Sequence, residues 1–71
     1  MNIYTLYIED DRYTVPTMLI IMADNDTRAR DDAVEQLRAS PHHLSVEVWD
    51  EDRLVAAIPA ACLEHAGARP S

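Results

Sequence analysis

Hydrophobic and polar positions alternate in two stretches of the chain and cluster in two others. Asn2 to Glu9 (NIYTLYIE) is rich in β-branched and aromatic residues, the types that suit a pleated strand. Period-two alternation puts Tyr4, Leu6 and Ile8 on one face and Ile3, Thr5 and Tyr7 on the other. Tyr13 to Val15 reads as a short return along this strand, with Pro16 at a bulge or edge because proline donates no ladder hydrogen bond. Thr17 to Ala23 (TMLIIMA) is continuous rather than alternating in hydrophobicity, which predicts a strand buried on both faces.

The period then changes. Asp24, Asn25, Asp26 and Thr27 each offer a side-chain oxygen to free backbone N–H groups and mark a helix start. The predicted helix covers Thr27 to Ala39, with Ala29, Ala33, Val34 and Leu37 as its inward stripe. Ser40-Pro41 ends it, since the residue before proline avoids helical dihedrals. Alternation resumes in Leu44 to Asp50 (LSVEVWD), with Leu44, Val46 and Val48 assigned to the core. Arg53 to Ile58 returns antiparallel to it. The order is β-β-α-β-β: an α+β two-layer sandwich, one helix packed on a mainly antiparallel four-stranded sheet. Residues 1–59 form the single domain. Residues 60–71 are expected to be a short helical turn and a loose tail.

Composition narrows the classes. At 71 residues, 48% apolar and 27% charged, the chain reads as one small globular domain. It shows neither a basic-plus-apolar leader nor an apolar run long enough to cross a bilayer, and a lone cysteine suits a reducing compartment. A cytoplasmic protein without membrane contact is expected. The net charge of −7 sets 13 acidic residues against 6 basic ones, and every basic residue is arginine. Such a surface repels phosphate backbones, so nucleic-acid binding is not expected. It favours solubility or a basic protein partner.

The candidate chemistry is sparse. Asp24, Asp26, Asp32 and Glu35 fall at the first, third, ninth and twelfth positions of a calcium-binding helix–loop–helix segment. Ala29 stands where that loop needs glycine, and Arg28 where it needs an oxygen. His42, His43, Cys62 and His65 are the weak candidates for a metal centre, but adjacent histidines diverge on an extended backbone. Cys62 and His65 could make a nucleophile–base pair, yet the single glycine, Gly67, leaves no oxyanion or phosphate loop. No catalytic residue is assigned and no cofactor is expected.

One helix covers one side of a four-stranded sheet, so the other side needs a partner. Its expected members are Ile3, Tyr7, Trp49 and Val55, with Ala57 and either Met18 or Leu19. A contiguous apolar patch with two aromatics marks an interaction surface. The first reading is a non-enzymatic protein-interaction module, a homodimer being the simplest case. The second is an acidic decoy that occupies a basic site, using Glu9, Asp10 and Asp11 together with Asp50, Glu51 and Asp52, both triplets placed at one sheet end. The third is a small metal- or cysteine-dependent enzyme.

Tyr4 to Thr17 (YTLYIEDDRYTVPT) and Ala39 to Val55 (ASPHHLSVEVWDEDRLV) resemble a group of short bacterial proteins of unknown function. The shared features are Y-x-L-Y, D-R-Y-x-V-P-T and S-P-H-H before a V-E-V strand. That resemblance implies a ββαββ-like domain and supplies no catalytic residue to carry over.

Overall fold

A computed structural model of the chain describes residues 1–61. Strands β1 (Asn2–Asp10) and β2 (Thr17–Ala23) precede helix α1 (Asp26–Arg38), and β3 (His43–Asp50) and β4 (Arg53–Pro59) follow it. The sheet order is β2-β1-β3-β4, and every neighbouring pair is antiparallel. The expected architecture is therefore the observed one, with β1 and β3 at the centre of the sheet. Ala60 and Ala61 open a helical turn, and Ala60 packs against the core. Cys62 and His65, two of the weak metal candidates, lie outside the described residues.

The core is the layer between α1 and one face of the sheet. Tyr4, Leu6 and Ile8 from β1 and Val46 and Val48 from β3 meet Ala29, Ala33 and Leu37 from the helix. Asn25 caps that helix: its backbone is extended, and its side-chain oxygen accepts from the Arg28 N–H at 2.9 Å. Both ends of α1 are pinned by polar groups. At the N-terminus the Tyr4 hydroxyl donates to Asp26 Oδ1 at 2.8 Å, which lets a phenol be buried without an unmatched oxygen. Arg53 grips Asp26 with both terminal nitrogens, at 3.1 and 3.2 Å, and Asp50 at 3.0 Å.

Several sequence expectations are corrected by the register. β2 is an edge strand whose burial alternates: Leu19 and Ile21 pack on the core, while Met18, Ile20 and Met22 are each about 60% exposed. The continuous apolar run meant that one face meets the helix and the other is left bare, not that both are covered. Tyr13 to Val15 forms no strand and both named residues are exposed, because pairing with β1 begins only at Thr17. The register slips between Glu9 and Asp10, so that Asp10 faces His43 and Leu44 is skipped. The slip turns His43 toward the helix and leaves Leu44 exposed, reversing its expected core role.

A second slip, between Val48 and Trp49, sets Trp49 opposite Leu54 and Val48 opposite Ala56. Val55 is the extra residue. Expected on the helix-free face, it is instead half-buried against the core cluster, and Leu54 takes its place on the open side. The β3–β4 turn closes in two residues, Glu51 and Asp52, with Glu51 at φ 55°. That left-handed conformation is costly for a residue with a Cβ.

Two stability outcomes follow. Leu6→Ala removes a fully buried side chain and is expected to destabilise by about 2–5 kcal/mol, while Leu54→Ala on the open face changes stability by less than about 1 kcal/mol, both read by urea unfolding. Glu51→Gly relieves the left-handed strain and is expected to add up to about 1 kcal/mol; a loss of stability would show that Glu51 is not strained.

Candidate interaction face

Trp49, Tyr7 and Ile3 sit where alternation placed them, on the sheet face opposite α1. Register puts Thr5 across from Trp49 and Tyr7 across from Glu47, so the two aromatics are diagonal neighbours on adjacent strands. The Trp49 indole Nε1–H donates to Glu47 Oε1 at 3.1 Å, which orients the ring along its own strand. Tyr7, Trp49 and Pro16 line an open depression, bordered by the carboxylates of Glu47, Glu51 and Asp52.

The other half of this face has no charge. Pairing of β1 with β2 sets Ile3 beside Met22, Thr5 beside Ile20 and Tyr7 beside Met18, which settles the choice between Met18 and Leu19 in favour of Met18. Four of these side chains, Ile3, Met18, Ile20 and Met22, are about 60% exposed. They form a contiguous apolar strip at one side of the sheet. Isolated exposed apolar residues are ordinary on protein surfaces, but a continuous strip is not. The signal that sequence reading missed was in β2: a six-residue apolar run, Met18 to Ala23, bordering only one helix has to leave one of its faces uncovered.

The histidines have a structural role. His42 Nδ1 lies 2.9 Å from Asp11 Oδ1, and the Asp11 N–H donates to the His42 carbonyl at 2.9 Å. His43 Nδ1 lies 2.8 Å from the Gln36 carbonyl; a carbonyl only accepts, so this nitrogen carries the proton. Its Nε2 is 3.7 Å from Asp10 Oδ2. Together the pair fastens the α1–β3 loop to the β1–β2 turn and ties off the last turn of the helix. Among the described residues no group of three or more His, Cys, Asp or Glu side chains is arranged to hold a metal ion.

The acidic triplets are separated. β1 and β3 are antiparallel neighbours, so Asp10 and Asp11 lie at one end of the sheet and the Asp50–Asp52 turn lies at the other. They were expected at one end. Two members are also engaged internally. Asp10 is buried, with Oδ1 accepting from the Arg12 backbone N–H and Nε at 2.8 and 3.0 Å and Oδ2 accepting from Arg12 Nη2 at 2.7 Å. Asp50 is bonded to Arg53.

The hydrogen bonds from Arg12 hold the Asp10 carboxyl far below the usual carboxylate range, against the opposing effect of burial. Arg53, then Tyr4, lower Asp26 in the same way. Burial, followed by the bond to Asp26, raises the Tyr4 phenol. No helix among the described residues is long and apolar enough to cross a membrane. No family model, curated protein or solved structure matches the chain.

The depressed carboxyls set the acid response. A carboxyl whose folded pKa lies below its unfolded one adds stability above the unfolded value and loses it as pH falls toward the folded value. Stability is therefore expected to decline once pH drops below about 4. In Asp10→Asn the decline is shallower but persists through Asp26. Unfolding curves between neutral and strongly acidic pH check this, and an unchanged slope in the variant would remove Asp10 from the account.

Proposed function

We infer that this domain is a non-enzymatic interaction module that binds a protein, a second copy of itself in the simplest case, through the helix-free face of its sheet. The observation that carries the reading is the uncharged strip formed by Ile3, Met18, Ile20 and Met22, with Tyr7 and Trp49 beside it. Apolar surface of this continuity is favourably removed from water, and aromatic side chains at its border supply large contact area with few rotamers to freeze. A polar border of Glu47, Glu51 and Asp52 gives the face the apolar-centre and polar-rim layout of protein interfaces. The decoy reading loses support from the separation of the two acidic triplets and from the internal bonds of Asp10 and Asp50.

Trp49→Ser and Met18→Ser are expected to weaken association at least tenfold in sedimentation equilibrium while circular dichroism and the thermal midpoint stay close to the parent's. Loss of the fold in Trp49→Ser would make Trp49 a structural residue and remove it from the interface.

A further inference from the structure

Sheet edges expose rows of unpaired N–H and C=O groups, and natural proteins guard them with charges, prolines, bulges or covering elements. The two edges of this sheet are guarded very differently. β4 opens with Arg53, ends with Pro59 and carries the register slip at Leu54 and Val55. β2 has none of these devices: its seven residues include no charge, no proline and no slip against β1. Helix α1 lies chiefly over β3 and packs on one face of the sheet, touching β2 and β4 to a similar, smaller extent.

The sequence of β2 is also nearly self-complementary. Antiparallel pairing about a two-fold axis at Ile20 sets Ile20 opposite Ile20, Leu19 opposite Ile21, Met18 opposite Met22 and Thr17 opposite Ala23. The three central pairs, Ile20 with Ile20, Leu19 with Ile21 and Met18 with Met22, join side chains of like size and polarity. Directly opposed residues point to the same side of a sheet, so this register keeps both helices on one face and both bare strips on the other. A shift of one residue would put the two helices on opposite faces and break up the strip.

Charge permits the approach. Two chains of net charge −7 repel in general, but the strand itself is neutral. The carboxylate bordering it, Asp24, falls opposite Pro16 of the other copy. The two Asp24 residues are then roughly 27 Å apart, well beyond the screening length of about 8 Å at physiological salt.

We propose that a second copy of this chain adds its β2 to the β2 edge in the Ile20-centred antiparallel register, forming an eight-stranded sheet. This edge contact goes beyond the face reading: it leaves the bare face in water, and Trp49 on β3, separated from the joined edge by β1, takes no part in it. The two strips of Ile3, Met18, Ile20 and Met22 join into one central band, and the acidic, aromatic depressions lie at its flanks. In the merged sheet Thr5, Ile20, Ile20 of the second copy and its Thr5 form one row across four strands.

Single cysteines in a Cys62→Ser background test the register. Mild oxidation of Ile20→Cys is expected to yield a disulfide-linked dimer in near-complete yield, because opposed Cα atoms are about 4.5–5.5 Å apart. Met18→Cys alone is expected to give none, its two sulfurs being separated by four residues along the strand, but a mixture with Met22→Cys crosslinks. Thr5→Cys also gives none, as two strands intervene. Native mass spectrometry of the parent chain is expected at twice the chain mass, and Ile20→Lys shifts dissociation at least tenfold.

A monomer at every concentration tested overturns the proposal, and the face then depends on a different protein. A dimer linked through Thr5→Cys but not Ile20→Cys also overturns it. That outcome keeps the face as the binding surface, with the copies stacked rather than edge-joined.

Discussion

The close fit of Ala29, Ala33 and Leu37 against Tyr4, Leu6, Ile8, Val46 and Val48 is the contact on which everything else rests. Two alanines on the inward stripe let the helix axis come near the sheet, so a thirteen-residue helix closes a dry layer over the two central strands. Such a helix is about 20 Å long and about 10 Å wide, while four strands about 4.8 Å apart spread over about 19 Å on each of two faces. One helix seals one face. The same packing that makes the domain stable therefore leaves the other face in water.

Polar chemistry is spent on holding this layer together. Asp26 gathers Tyr4 and Arg53 at the helix start, and His43 with Asp10 and Arg12 closes the far end. The groups with displaced ionisation among the described residues, Asp10, Arg12, Asp26, Arg53 and Tyr4, belong to these clamps. Perturbed carboxyls often mark catalytic sites, but ion-pair networks displace them equally well. Here the geometry places them between secondary-structure elements and away from the open depression of Tyr7 and Trp49. The histidine pair that drew attention in the sequence is explained in the same terms, as a fastening between two loops.

Much of the fold was legible because its signals are local. Alternation in β1 and β3, a capping oxygen among Asp24 to Thr27 and the alanine stripe of α1 all depend on residues a few positions apart. The candidate face was legible to the same extent: Ile3, Tyr7 and Trp49 follow from counting by two. Val55 and Leu44 were misplaced because register slips reverse a face, and a slip is decided by pairing with a distant strand. β2 was misread because a run of six apolar residues looks the same whether a strand is central or at an edge.

The sequence by itself determined the element order, the inward stripe of the helix and the side of β1 that meets it, since periodicity and capping are short-range physics. Only the tertiary structure decided that β1 and β3 are central and β2 is an edge, that the acidic turns point to opposite ends, and that Met18, Ile20 and Met22 stand bare. Those facts depend on which strands lie side by side. That choice is made by the single best way to bury one apolar layer under one helix.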